Sequence, residues 1–448
     1  MSIWTAETHS IEPIPESERH GKPRDLFTLW FSANMQITTI ALGAVFYFIG
    51  LSLPWAILAI VIGNLIGAIF MAYHSAQGPV IGVPQMIQSR AQFGFYGALL
   101  PLVLVVVMYL GFFALSSALG GQALAGLTSM PVTPAIIILG VITALMAVFG
   151  YDLIHAYQRY VSLVFLVAFV IFSVVVATSG LIPHAAWSWS GFNGGTFLLG
   201  VMLAVTWQIT YAPYVSDYSR YLKKDVGVGP TFQNSYWGTV IASVWMMILG
   251  AALTEISQKL STVGVISQLA GGLAGVMLLI ILLGIIAANV LNVYGGMLTA
   301  DTIWGTFSKG VGSATRRLVM IALVAIVGMI LGVIAEGNFD ANLTNFIVFL
   351  TYFVIPWTAI NLTDFYLVRH GQYDPQAFFR PAGYGGANGM ALAAYVIGIL
   401  IEIPFINSVL YEGPIAKALG GADISWVFGL AVAGGVYLIF SKSTRQAI

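Results

Sequence analysis

Apolar stretches of about 20 residues or more follow one another through this chain with only short polar breaks. They lie near 26–50, 53–73, 96–125, 132–150, 160–182, 195–221, 236–256, 273–303, 316–335, 342–368, 388–410 and 424–441. Each can cross a bilayer, where hydrocarbon offers no partner to backbone N–H and C=O groups and a helix satisfies them internally. The expected fold is therefore an all-α membrane protein of about twelve transmembrane helices, called spans 1 to 12 below. Composition agrees: charged residues are 8% of 448 positions, against about 25% in soluble domains. Residues 1–25 form a polar N-terminal segment, 26–441 one transmembrane domain, and 442–448 a short tail. No stretch between spans is long enough for a further soluble domain.

Lysine and arginine give the orientation. Arg19, Lys22 and Arg24 precede span 1, Arg90 lies between spans 2 and 3, and Arg159 between 4 and 5. Arg220, Lys223 and Lys224 follow span 6, and Lys309, Arg316 and Arg317 follow span 8. Arg369 and Arg380 follow span 10, and Lys442 and Arg445 follow span 12. That places fifteen of seventeen basic residues on one side and only Lys259 and Lys417 on the other. The basic side is expected to be cytoplasmic, with both termini there and the protein in the plasma (inner) membrane. Met1 to Asp25 lacks the basic tip and apolar run of a cleavable signal peptide.

Other function classes are disfavoured by what the chain lacks. It has no cysteine and hence no disulfide, thiolate metal site or thiol nucleophile. Its net charge of zero argues against nucleic acid as a partner. Charge rings or repeated carbonyl filters that would mark a channel are not evident. Nor is there a carboxylate pair, histidine cluster or nucleophile motif of a membrane enzyme within the spans. GYGGANG (383–389) has neither the preceding strand nor the Lys-Ser/Thr end of a phosphate loop and reads as a flexible loop.

Polar groups inside the spans are the informative residues. Span 1 holds WFSANMQITTIALG (30–43), with Ser32, Asn34, Gln36, Thr38 and Thr39. Span 6 holds TWQITYAPYVSDYSRY (206–221), where Pro213 interrupts the helical ladder five residues after Gln208. Span 8 holds GIIAANVLNVYGGM (284–297), with Asn289 and Asn292 one turn apart. Span 3 holds Phe112, Ser116 and Ser117. Hydroxyls bond back to their own helix, so Ser116, Ser117, Thr38 and Thr39 fit helix-to-helix packing. Midplane amides are expensive, so Gln208, Asn289 and Asn292 fit a binding role. Phe112, Trp207 and Tyr211 are open between packing and binding. Aromatic plates beside amides suit a flat solute with hydrogen-bonding edges, such as a nucleobase.

Five segments carry a family resemblance: SRAQFGFYGALLP (89–101), FGYDLIHAYQRY (149–160), YAPYVSDYSRYL (211–222), NVLNVYGG (289–296) and PWTAINLTDFYLVRHGQYD (356–374). Together they resemble the signatures of the nucleobase–cation symporter family, in its purine–cytosine permease branch. The resemblance implies a LeuT-like fold with spans 1–5 and 6–10 as inverted repeats and two further C-terminal helices. It also implies interruption of spans 1 and 6 at the substrate site, alternating-access uptake coupled to a cation, and a monomer as the functional unit in the lipid bilayer.

Carried over residue by residue, Phe112 takes a position that is usually Trp and Tyr211 one that is often Trp. Ser116 lies where relatives often place an amide, Asn289 and Asn292 match the span-8 amides, and Ser32–Ala33–Asn34 matches the span-1 stretch. With Trp207 and Gln208 from the reading of the polar spans, the expected substrate-binding set is Ser32, Asn34, Phe112, Ser116, Trp207, Gln208, Tyr211, Asn289 and Asn292. Smaller plates than Trp leave room for a solute other than cytosine, such as a thiamin-precursor pyrimidine or an allantoin-like ureide. Sodium-coupled members place hydroxyls just before the first asparagine, where this chain has Ala287 and Ala288. A hard cation wants oxygen ligands, so a proton is expected as coupling ion ahead of sodium. No cofactor or metal is expected. None of the six histidines lies in spans 1, 3, 6 or 8, and Asp217 and Asp301 lie near cytoplasmic ends, so the sequence names no proton carrier.

Overall fold

The computed structural model describes residues 10–308 and 313–446. Residues 1–9, 309–312 (with Lys309) and 447–448 lie outside it, together with the part of the N-terminal segment and of the tail that they make up. Among the described residues there is no named strand, and helices joined by loops make up the fold. Among the described residues ten helices are long and apolar enough to cross a membrane, or eleven if a bent pair is taken as one span. The expected span 11 is shorter: Gly389–Glu402 followed by a single turn to Phe405. Length and composition thus give ten or eleven crossings where the sequence suggested about twelve.

The irregular spans have local causes. Span 1 is two helices, Pro23–Asn34 and Ile37–Phe48, bent by 56° at Met35–Gln36. Gln36 is extended (φ −145°, ψ 163°) and its Oε1 accepts from the Thr38 N–H at 2.8 Å, so it caps the second helix. Capping matters here because the first amides of a helix have no intrahelical partner and hydrocarbon supplies none. In span 6, helix Gly194–Ile209 gives way to a turn at Ala212–Tyr214 and then to Val215–Ser219. Pro213 sits in that turn and has no N–H to continue the ladder.

Packing sorts the helices into two groups. Spans 1, 2, 6 and 7 pack on one another, with span 2 at Leu53–Ser75 and span 7 at Val228–Ile256. Spans 3, 4, 8 and 9 form the other group: Leu99–Thr128, Val132–Phe149, Ala274–Phe307 and Ala314–Ala335. Glycine sets the closest approaches in the first group. Gly63 and Gly67, one turn apart on span 2, face Val201 and Val205 of span 6, and a Cβ on either would lie 2.5 Å from a carbonyl oxygen. Small residues at such spacing let helices associate where water provides no driving force. Span 5 (Tyr151–Thr178) packs on spans 1 and 8. Span 10 (Phe339–Thr363) packs on spans 3 and 6 and carries span 12 (Ser425–Gln446) on its far side.

Several of the basic residues counted for orientation are internal ties. Arg90 is buried and donates to the Phe378 carbonyl at 2.7 Å, the Thr302 carbonyl at 2.8 Å and Thr306 Oγ1 at 2.9 Å. Burial pulls its guanidinium down to about 10. Arg220 donates to the Ser10 carbonyl at 2.8 Å, and Ser10 Oγ donates to Asp301 at 2.5 Å. Ile11 and Ile14 are buried beside these contacts. Residues 10–14 therefore lie packed across the basic face of the bundle.

Candidate substrate site

A cavity opens where the breaks of spans 1 and 6 face spans 3 and 8. It is lined by Ala33, Gln36 and Thr38 of span 1, Phe112 and Ser116 of span 3, Trp207, Thr210, Tyr211 and Tyr214 of span 6, and Ala288, Leu291 and Asn292 of span 8. Its aromatic walls stand edge to face. Phe112 meets Trp207 at 5.8 Å between ring centroids and 88°, and Trp207 meets Tyr211 at 5.9 Å and 89°. Phe346 of span 10 backs Phe112 at 5.2 Å. The space open to the centre of a water molecule is about 20 Å³, room for one water or two. A solute the size of a base enters only when these walls part.

Of the nine residues expected from the sequence, Phe112, Ser116, Trp207, Tyr211 and Asn292 line the cavity. The other four lie behind it. Asn34 is fully buried and saturated. Its Nδ2 donates to the Trp30 carbonyl at 2.9 Å and to Thr239 Oγ1 at 3.1 Å. Its Oδ1 accepts from Trp207 Nε1 at 3.0 Å, Tyr211 Oη at 2.8 Å and Ser243 Oγ at 2.7 Å. An amide oxygen has two lone pairs, so no capacity remains for a ligand. Instead Asn34 fixes two of the aromatic walls through their only polar atoms.

Gln208 continues this network away from the cavity. Its Oε1 accepts from Thr239 Oγ1 and its Nε2 donates to Asn64 Oδ1, both at 2.7 Å. Ser32 donates to Gln158 Oε1, and Gln158 Nε2 donates to the Ala287 carbonyl at 2.8 Å. One span-5 amide thus ties the end of span 1's first helix to span 8. Asn289 faces span 3, donating to Ser117 Oγ at 2.9 Å, while its Oδ1 accepts from Asn292 Nδ2 at 3.2 Å. That bond holds the Asn292 carboxamide, and no donor among the described residues takes its Oδ1. The two asparagines therefore divide the work between packing and cavity wall.

Sequence reasoning left Gln36, Thr210, Tyr214, Ala288 and Leu291 out of the site, and read Thr38 as packing. Thr38 does both: it lines the cavity and shares a hydrogen bond with Ser116 at 3.1 Å. Ala288, Leu291 and Asn292 were within reach of the helical period, since positions three and four apart share a face. Gln36 and Thr210 flank helix breaks whose residue-level positions the sequence did not fix.

The profile of the family described as permease for cytosine/purines, uracil, thiamine, allantoin matches residues 13–429. YxlA of Bacillus subtilis, a provisionally named purine-cytosine permease, is 46% identical over 97% of this chain and 96% of its own length. A purine-cytosine permease of Emericella nidulans is 26% identical over 96% of this chain and 87% of its own. Among solved structures, Mhp1, a nucleobase-cation-symport-1 family transporter in a closed conformation with bromovinylhydantoin bound, superposes with a TM-score of 0.82. That match covers 100% of this chain and 97% of Mhp1 at 20% identity, and it gives the expected LeuT-like fold. The profile match and the 46% identity over nearly the whole length make this chain a member of the cytosine/purine permease family, a transporter and not an enzyme.

Proposed function

We propose that this protein imports a nucleobase of cytosine or purine type by secondary active transport, coupled to a proton, across the plasma membrane with both termini cytoplasmic. The observation that carries the reading is the cavity itself. Phe112, Trp207 and Tyr211 supply apolar ring surfaces, and Gln36, Thr38, Ser116, Thr210 and Asn292 supply donors and acceptors around them. A flat heterocycle has this pairing of faces and edges.

The coupling ion is read from the junction of spans 1 and 8. The side chains of Ala287 and Ala288 offer no oxygen, and Gln158 Nε2 already occupies the Ala287 carbonyl. Ser32 Oγ is likewise engaged, by Gln158 Oε1. A hard cation needs several oxygens at once, and the side chains of the two alanines supply none. Uptake of labelled cytosine should collapse with a protonophore and persist when choline replaces sodium. Strict sodium dependence would overturn the coupling assignment. A panel of unlabelled purines, pyrimidines, thiamin-precursor pyrimidine and allantoin, competing against the label, tests the substrate class; exclusive competition by a non-base would move the substrate to that class.

Asn292 is the lining residue best placed to read a base edge, because its Nδ2 is committed to Asn289 and its Oδ1 is free to accept a ring or exocyclic N–H. Asn292→Ala should weaken binding by about 1–3 kcal/mol, roughly ten- to a hundredfold in Kd, with normal abundance in the membrane. Asn289→Ala should lower abundance as well, since it also releases Ser117 on span 3. Unchanged substrate-dependent thermal stabilisation in Asn292→Ala would place the base elsewhere.

A further inference from the structure

Outside the cavity one carboxyl is buried with nothing to hold it. Glu402 ends the short helix of span 11 and is 0% exposed. Neither of its oxygens has a hydrogen-bond partner. It fits into a notch left by Gly429 of span 12, where an added Cβ would collide with its Oε1. The titratable groups that act on one another here are Asp423, Tyr352 of span 10 and Tyr395 of span 11 itself, and no basic side chain is among them.

Asp423 stands in contrast. Its Oδ1 accepts from Ser425 N at 3.0 Å and Ser425 Oγ at 2.5 Å. Its Oδ2 accepts from Asn407 N at 2.8 Å and Tyr352 Oη at 3.1 Å. Burial pushes the Asp423 carboxyl up, and these four donors oppose that push. Donors directed at a carboxylate favour its charged form, and a like charge nearby disfavours a second one. Asp423 thus has four donors that favour its charged form. Glu402, without a donor or a counter-ion, stays neutral only by keeping its proton. An apolar side chain would fill the same notch at no electrostatic cost, so a bare packing role does not account for a carboxyl there.

We propose that Glu402 and Asp423 form a proton-binding pair, deprotonated when the loop 406–424 admits water, and that span 10 conveys its state to the substrate cavity. The inference rests on the proton-coupled reading above and gives it a carrier. The route is short. Tyr352 binds Asp423, and the preceding residue, Thr351, shares a hydrogen bond with Thr206 of span 6 at 2.7 Å, next to the cavity wall Trp207. One turn or so earlier on the same helix, Phe346 backs Phe112. When Glu402 releases its proton to water, two carboxylates face each other, the Tyr352–Asp423 bond must readjust, and span 10 carries that movement to Phe112 and Trp207.

The test uses the full chain in proteoliposomes and the variant Glu402→Gln, which keeps the size of the side chain but cannot release a proton. With labelled cytosine and a pH gradient, the variant should lose accumulation and reach only the equilibrium level, while exchange of labelled for unlabelled cytosine without a gradient continues. Infrared difference spectra of the wild type should show a protonated-carboxyl band that shifts in D2O and is missing from Glu402→Gln. Accumulation by the variant equal to that of the wild type overturns the proposal, as does a wild type without the band. A wild type driven by sodium and not by pH refutes the coupling reading alone, and the infrared band then decides separately whether Glu402 carries a proton.

Discussion

Asn34→Ala is expected to abolish uptake and to remove most of the folded protein from the membrane. The substitution deletes one carboxamide but strands three buried donors at once, on Trp207, Tyr211 and Ser243. Each buried donor left unpaired costs about 1–3 kcal/mol, so the total is a large part of what holds a typical fold together, about 5–15 kcal/mol. The damage is also directional. Trp207 and Tyr211 are walls of the cavity, and their ring planes are set by the Asn34 bonds. Such protein as survives should bind cytosine poorly even though Asn34 does not line the cavity. Size-exclusion profiles of a fluorescent fusion would read abundance, and thermal stabilisation by cytosine would read binding. A variant with normal abundance and normal stabilisation would mean that waters replace the amide and that the network is dispensable.

The same residue shows how far the sequence could be read. An amide in an apolar stretch announces that its hydrogen bonds must be met inside the protein, and the helices carrying these amides are among those that line the cavity. Whether the partner is a ligand or a neighbouring helix depends on how many of its lone pairs and N–H groups are already taken. That is a property of the packed structure. Asn34 and Gln208 are held by Thr239, Ser243, Asn64 and two aromatic groups, most of them on spans 2 and 7, which carried no signal in the sequence. Asn292 differs from Asn289 only by three residues, yet one turns to the cavity and the other to span 3. A helix offset of about 60° separates them, which is too fine to assign without knowing where each neighbouring helix lies.

Other features were legible because they depend on chemistry that acts locally. Apolar length gave the spans, and the cluster of polar residues with Pro213 pointed to the interrupted ones. The exact break in span 1 was not legible, since Gln36 is an unusual capping residue and its bond to the Thr38 amide is evident only once the helix has ended. Span 11 was expected to be full length because hydropathy registers its apolar residues and not the turn at Pro404 that closes the helix near Glu402. In the sequence Glu402 is one carboxylate within an apolar stretch, and only burial by span 12 makes it a chemical anomaly.

The second large effect is expected from Gly250→Val or Gly43→Val, each of which should eliminate detectable folded protein. Gly43 lies on the second helix of span 1 and Gly250 on span 7, and their backbones touch. A Cβ on Gly43 would collide with the Met247 carbonyl oxygen, and one on Gly250 with the Ile40 carbonyl oxygen. The obstacle in both cases is backbone within a helix, which cannot swing aside as a flexible side chain would. Separating the two helices would instead break the close packing that substitutes for the hydrophobic effect inside a bilayer. It would also displace Gln36 and Thr38 from the cavity, since both sit on the first turn of the same helix. Gly435→Val on span 12 is the matching control, because nothing lies within 4 Å of a Cβ there, and it should leave abundance unchanged. If Gly43→Val and Gly250→Val accumulate like Gly435→Val, spans 1 and 7 do not meet at these glycines and the packing of the first helix group is wrong.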